Sequence, residues 1–177
     1  MRISTIEEYG LRCALQLGRV YFFKEQHLAA TEIAKREGIS VRYVSKIMYL
    51  LRKAKLATAV RGTTGGFLLS KAPDQLALKA IIDALGAKKE VCADDFCTQF
   101  KGLLSDCIHL SECSVRPVWL VLAGYFDQVL GAVTLHELLA RESEVKKSME
   151  VIAFSKATSV KASLTKTIRS NVRGGQS

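Results

Sequence analysis

The stretch GISVRYVSKIMYLLRKAKLATAVRGTTGGFLL, residues 38–69, decides how this chain folds. Gly38 closes one helix, because a residue without a Cβ enters the left-handed cap without steric cost. Ser40 then offers a side-chain oxygen to the free N–H groups of the next helix, expected over residues 41–54. Within it Val44, Ile47, Met48 and Leu51 recur at i, i+3, i+4 and i+7 and share one buried face. Residues 56–61 and 66–70 read as short strands around Gly62-Thr63-Thr64-Gly65, a hairpin with glycine where positive φ is needed. Two short helices joined by a tight glycine turn form a helix-turn-helix. A hairpin directly after it is the wing of a winged helix.

Upstream, Ser4 with Glu7 has capping-box spacing, and Thr5 with Glu8 repeats it one residue on. Ile6, Tyr9, Cys13, Leu17, Val20 and Tyr21 then mark one face of a helix reaching about Phe23. Cys13 lies on that face and reads as a small buried hydrophobe. A short helix covers about residues 29–37. Downstream, Pro73-Asp74 opens a helix through about Leu85, closed by Gly86. Residues 87–113 show little periodicity and read as a loop, with one helical turn near residues 100–105. A helix follows over about 115–130, with Pro117 tolerated in its first turn. Val118, Val121, Leu122, Tyr125, Phe126, Val129 and Leu130 cover well over half its circumference, so it needs cover on several sides. The cover expected is the same helix of a second copy, with burial inside its own monomer as the other reading. Residues 135–141 form a last short helix. The fold class is mainly α, a winged helix-turn-helix with a small β-hairpin wing and a long dimerisation helix. Four regions are expected: DNA-binding domain 1–86, cysteine-rich loop 87–113, dimerisation and packing helices 114–145, and a basic, partly disordered tail 146–177.

The chain has 177 residues and a net charge of +9. Residues 1–89 carry sixteen Lys/Arg against seven Asp/Glu, residues 90–145 three against nine, and residues 146–177 seven against one. The basic first half suits a polyanion, and the acidic middle would be repelled by one. There is no signal-peptide pattern and no 18-residue apolar run, so a cytoplasmic protein without membrane contact is expected. No nucleophile–base or paired-carboxylate arrangement suggests catalysis or a small-molecule substrate.

The charge is most one-sided where the fold is decided. From Gly38 to Pro73 there are seven basic residues and no acidic one. On the helix after Ser40, the face opposite the core presents Arg42, Ser45, Lys46, Tyr49, Arg52 and Lys53. An ordinary solvated face mixes signs; a one-sign face beside a wing suits phosphate contact. Arg42 and Ser45, in the first turn, are placed to reach base edges in the major groove. Lys46, Arg52 and Lys53 suit phosphates, and Arg61 at the wing suits a narrowed minor groove.

Cys92, Cys97, Cys107 and Cys113 fall in one 22-residue stretch with spacing C-x4-C-x9-C-x5-C. Structural zinc sites favour C-x2-C knuckles, which are missing, and disulfides are disfavoured in a cytosolic chain. An iron–sulfur cluster accepts such a loop, because its ligand sulfurs need only converge on the irons. Thiol redox switching, zinc and inert thiols remain as other readings of the spacing.

Several motifs together resemble the Rrf2 family of winged-helix regulators. They are Met1-Arg2-Ile3-Ser4 leading to Glu8-Tyr9-Gly10-Leu11-Arg12, Gly38-Ile39-Ser40-x-x-Tyr43, Leu50-Leu51-Arg52-Lys53-Ala54, and the wing Arg61-Gly62-x-x-Gly65-Gly66-Phe67-x-Leu69. Cys107-x5-Cys113 followed by Val115-Arg116-Pro117-Val118-Trp119 looks like the end of that family's cluster loop and the start of its dimer helix. The match covers about residues 1–140. It implies a homodimer on a double-stranded DNA operator, with a 2Fe–2S or 4Fe–4S cluster held by three cysteines. Cys107 and Cys113 match the last two ligands and Cys92 best matches the first. Cys97 is left as a rival first ligand, a fourth ligand or a spare thiol. The histidine that one branch places three residues after the last cysteine is replaced by Arg116. Another branch takes a carboxylate from the partner subunit's N-terminal helix, and Glu8 occupies the matching position, ahead of His109 as a candidate.

The resulting expectation is a non-enzymatic DNA-binding regulator, a repressor, whose cluster senses iron, redox state or nitric oxide. The alternatives are a cluster-free regulator switched by cysteine oxidation or a protein partner, a small electron carrier with a basic docking face, and an interaction module for a metabolic enzyme.

Overall fold

The structure, a computed structural model, describes residues 3–23, 27–62, 65–86, 103–109 and 112–174, with side chains as far as residue 158. The chain divides into two units, Met1–Lys88 with Leu130–Met149, and Lys89–Val129 with Glu150–Ser177.

In the first unit α1 spans Thr5–Val20 and begins with the capping box read from the sequence. Ser4 Oγ accepts the Glu7 N–H at 3.4 Å, and Glu7 Oε2 accepts the Ser4 N–H at 2.7 Å. The helix ends at Val20, and Tyr21–Phe23 continue as a turn rather than as helix. Helix α2, Ala30–Glu37, has no side-chain cap but ends on Gly38 at φ 65°, as the glycine required. Helix α3, Val41–Lys53, starts on Ser40, whose Oγ accepts the Tyr43 N–H at 3.2 Å. Its apolar stripe Val44, Ile47, Met48 and Leu51 is buried with Cys13, Ala14 and Leu17 of α1 and Ile33 and Ala34 of α2.

Strands β1 (Ala57–Val60) and β2 (Gly66–Leu69) pair antiparallel, with Ala57 opposite Leu69 and Val60 opposite Gly66. Leu28 adds a short third rung: its N–H donates to the Phe67 carbonyl at 2.9 Å, and the Phe67 N–H donates back at 2.8 Å. A Cβ on Gly66 would collide with the Leu28 backbone, so glycine is what lets this rung approach.

The helix expected over residues 73–85 is divided. Pro73–Gln75 forms a 3-10 turn, and helix α4 spans Leu78–Leu85. The break is held by the chain returning after α5 (Arg116–Ala132). The Leu78 N–H donates to Val133 O and the Leu135 N–H to Leu76 O, each at 2.8 Å, and Val133 and Leu135 are fully buried. The short helix expected over 135–141 is reduced to a 3-10 turn, Glu137–Leu139. Leu135 and Leu139 lie against Gly18 of α1, where an added Cβ would meet them at 3.3–3.4 Å.

In the second unit residues 103–106 and 108–109 are turns and bends; of the helical turn expected near 100–105, residues 103–105 are not helical and residues 100–102 lie outside the described residues. The tail expected to be partly disordered is helical: α6 spans Glu142–Gly174. Its Ser, Thr and Lys content lacks a core-forming stripe, but residues 142–173 contain neither proline nor glycine to stop a helix. Tyr125 Oη donates to Ala153 O at 2.8 Å, tying α5 to α6. Around it α5 leaves Val118, Trp119, Leu122 and Phe126 between 41% and 55% exposed.

Two substitutions test this packing by equilibrium denaturation. Ile47→Ala is expected to cost about 2–5 kcal/mol, the range for truncating a buried aliphatic side chain. Gly38→Ala is expected to cost about 1–2 kcal/mol from the left-handed backbone alone.

Candidate nucleic-acid interface and cysteine segment

Because the stripe of α3 is fixed against α1 and α2, the rest of its circumference is outward by geometry. Arg42, Ser45, Lys46, Tyr49, Arg52 and Lys53 are all exposed, as the spacing predicts. Ser45 Oγ donates to Val41 O at 2.9 Å, which turns the hydroxyl along the helix and leaves its lone pairs outward. Ser40 is the cap of this helix first, with its oxygen committed to the Tyr43 N–H.

All seven basic residues between Gly38 and Pro73 are exposed: Arg42, Lys46, Arg52, Lys53, Lys55, Arg61 and Lys71. None has an ion-pair partner among the described residues. The other helices of this unit behave differently. Arg12 of α1 pairs with Glu8 at 2.7 Å, Arg36 of α2 with Glu32 at 2.8 Å, and Lys79 of α4 with Asp83 at 3.3 Å, each at i,i+4. Arg19 of α1 and Lys35 of α2 are exposed without an ion pair among the described residues as well, but residues 38–73 gather seven such cations with no acidic residue among them. Arg61 lies at the end of β1 beside Gly62, whose φ of 123° requires glycine. Residues 63 and 64 of the wing lie outside the described residues.

Two contributors were not singled out from the sequence. Tyr43 meets Tyr9 edge-to-face, centroids 6.0 Å apart, and Arg12 lies 5.5 Å above the Tyr9 ring. This stack pins the first turn of α3, where base contact is expected, to α1. Its sequence trace was Tyr9 and Tyr43 on otherwise unrelated helices. Lys55 has φ 59°, a left-handed conformation in a residue that carries a Cβ. It turns the chain from α3 into β1 with its own N–H on Arg52 O at 2.9 Å. No spacing rule marks it.

The thiols divide sharply. Cys13 is wholly buried in the first unit, and burial, with the Glu37 charge, pushes its thiol up to about 12. It is a core residue, as expected from its face. In the second unit Cys107 and Cys113 are free and half-buried. Cys113 Sγ accepts the Arg116 N–H at 3.4 Å. That bond and a second from the Val115 N–H, reinforced by the Arg116 side chain, hold the Cys113 thiol below the ordinary thiol range. The same Arg116 donates from Nη2 to His109 O at 3.2 Å, so one residue at the start of α5 holds both His109 and Cys113. Cys92 and Cys97 lie outside the described residues, and among the described residues no three His, Cys, Asp or Glu side chains converge on a metal position. Glu8, the alternative fourth ligand, is engaged with Arg12 from both Nη2 and Nε. Among the described residues no helix is long and apolar enough to cross a membrane.

Comparison with known proteins agrees with this geometry. The Rrf2 family model, described as an iron-dependent transcriptional regulator, matches residues 3–141. The chain is 28% identical over 148 residues to protein rrf2 of Nitratidesulfovibrio vulgaris, covering 84% of this chain and 93% of that one. It is 32% identical over 111 residues to the transcriptional regulator IscR of Sodalis glossinidius, covering 63% of each. Among solved structures it resembles CymR, the global cysteine regulator of B. subtilis, with TM-score 0.63, 25% identity, and coverage of 78% of this chain and 96% of that one.

Arg42→Ala is expected to relax base preference at one position and cost roughly 1–3 kcal/mol of operator binding. Lys46→Ala should weaken all duplexes alike and lower the salt slope by about one unit. Both are read by titrating fluorescent duplexes at several salt concentrations, and parent-like behaviour in both variants would unseat the α3 assignment.

A second measurement is alkylation of metal-free protein with iodoacetamide, followed by peptide mass spectrometry. The Cys113 thiol is held low, so its thiolate fraction is already raised near neutral pH and falls only as pH drops. Cys113 is expected to react before Cys13, and Cys13 only after unfolding.

Proposed function

Because this chain belongs to the Rrf2 family of transcriptional regulators, we propose that it acts as a homodimeric repressor. Its operator affinity is set by an iron–sulfur cluster, 2Fe–2S or 4Fe–4S, held by Cys92, Cys107 and Cys113. The observation that carries the DNA half of this reading is the run of seven exposed, unpaired cations on α3, its exit and the wing. Arg42 and Ser45 read base edges, Lys46, Tyr49, Arg52 and Lys53 with the Ser40 cap settle on the backbone, and Arg61 enters the minor groove. The electron-carrier and enzyme-module readings lose their support in a family of transcriptional regulators.

The donor set suits a cluster in its chemistry. Cys113 is a sulfur already favoured as thiolate and bonded to a peptide N–H, and amide bonds to ligand sulfur are a recurring means of tuning such centres. Cys107 is a second free thiol six positions before it. Cys97, or Glu8 released from Arg12, completes the set. When bound, the cluster supplies one-electron redox chemistry and reactivity toward nitric oxide or iron loss. The chain's own part is mechanical. Cys113 stands three residues before α5, so fixing its sulfur also fixes where α5 begins. The exposed Val118, Trp119, Leu122 and Phe126 form the surface on which a second α5 packs. In a two-fold dimer that contact sets the spacing of the recognition helices against half-sites one DNA turn apart.

A second reading, a cluster-free regulator switched by oxidation of Cys113, draws on the lowered thiol and on the likeness to a protein named as a cysteine regulator. The colour of the protein separates the two.

Protein purified without oxygen is expected to be brown, with iron and acid-labile sulfide in near-equal amounts. Cys107→Ala, Cys113→Ala and Cys92→Ala should each lose the colour, and Cys13→Ala should keep it. Holo and apo protein should differ at least about fivefold in operator affinity, the low end of typical coupling energies. Colourless parent protein would exclude the cluster, and equal affinities with an intact dimer would exclude it as the switch.

A further inference from the structure

Helix α6 raises a question that the winged-helix unit does not answer. The family match ends at residue 141, and α6 begins at Glu142 and continues to Gly174. Residues 151–174 carry five cations, Lys156, Lys161, Lys166, Arg169 and Arg173, and no Asp or Glu. The surface helices α1, α2 and α4 each pair a cation with an acid one turn away. Two helical stretches carry several cations with no acidic residue in their own sequence: α3 and residues 151–174.

Such a helix is electrostatically incomplete. Lys166 with Arg169, and Arg169 with Arg173, stand at i,i+3 and i,i+4 spacing, where like charges destabilise a helix. A polyanion laid along it removes that repulsion and releases its own counterions. At 1.5 Å per residue the 33 residues of α6 extend about 50 Å, the length of roughly 15 base pairs. Whenever the wing and α3 are docked, DNA is present at high local concentration, which favours DNA over any polyanion met by free diffusion.

We propose that α6 is a second DNA-contacting element that binds backbone phosphates without regard to sequence beside the operator. It carries affinity and salt dependence, and α3 carries base choice. The proposal rests on the DNA-docking reading above and is independent of the cluster.

The test compares the full-length parent with a variant carrying Lys161→Gln, Lys166→Gln, Arg169→Gln and Arg173→Gln. Each is titrated against a 60-bp duplex bearing an operator selected from a random library, and against a random 60-bp duplex, over a range of salt. At about 0.9 units per phosphate contact, the slope of log affinity against log salt should become shallower by about 3.5 units per tail on both duplexes. The ratio of operator to random affinity should stay unchanged. A control with Arg169→Lys and Arg173→Lys should keep the parent slope. Equal slopes for parent and quadruple variant, or loss of operator preference in the variant, would overturn the proposal. Equal slopes accompanied by lost binding to phosphatidylglycerol vesicles would overturn it in favour of a lipid surface. A parent that binds neither duplex would instead overturn the DNA reading itself.

Discussion

The burial of one side of α3 is the constraint from which the interface follows. Val44, Ile47, Met48 and Leu51 are each no more than 1% exposed, and together they fix the rotation of the helix about its own axis. A rotation of one residue position, about 100°, would put a cation into the core and an aliphatic side chain into water. Burying the unpaired cation and exposing the aliphatic side chain together take a large share of a domain's small net stability. The outward face is thus not selected contact by contact. Once the stripe is buried, Arg42, Lys46, Arg52 and Lys53 have nowhere else to go, and the Tyr9–Tyr43 stack removes the remaining freedom of the first turn.

The wing depends on the same unit through a different constraint. A two-stranded hairpin is marginal alone, and the Leu28–Phe67 rung makes it a three-rung edge anchored to the segment leading into α2. Gly66 permits that approach. The wing is therefore held to α2 and α3, which keeps Arg61 and Arg42 in one fixed relation.

Local chemistry was legible in the sequence, and long-range chemistry was not. The Ser4–Glu7 box, Gly38, Ser40, the α3 stripe and the hairpin all follow from residues within four or so positions of one another, and each stands where it was read. The break before Leu78 depends on Val133 and Leu135, some 55 residues later, which no local window connects. The Leu28 rung is likewise set by a partner far along the chain. Tail composition argued for disorder through the lack of a buriable stripe, whereas the backbone over 142–174 is helical. The outward, cation-bearing face of α3 was legible, because charge sign and helical period are both local. At the cysteine segment the sequence offered candidate thiols, and the structure added Arg116, whose grip on His109 O and Cys113 Sγ depends on where α5 starts. Cys92 and Cys97 lie outside the described residues.

Lys55 connects stability and affinity at a single backbone position. A left-handed φ of 59° is glycine's natural territory, and a side chain there carries a steric penalty of about 1–2 kcal/mol. The residue in that place is one of the seven cations. Drift toward glycine would relax the α3–β1 corner and at the same time remove a positive charge beside α3. The fold thus holds a small reserve of strain at the corner where α3 meets β1, and the position can be tuned to exchange thermal robustness for positive charge.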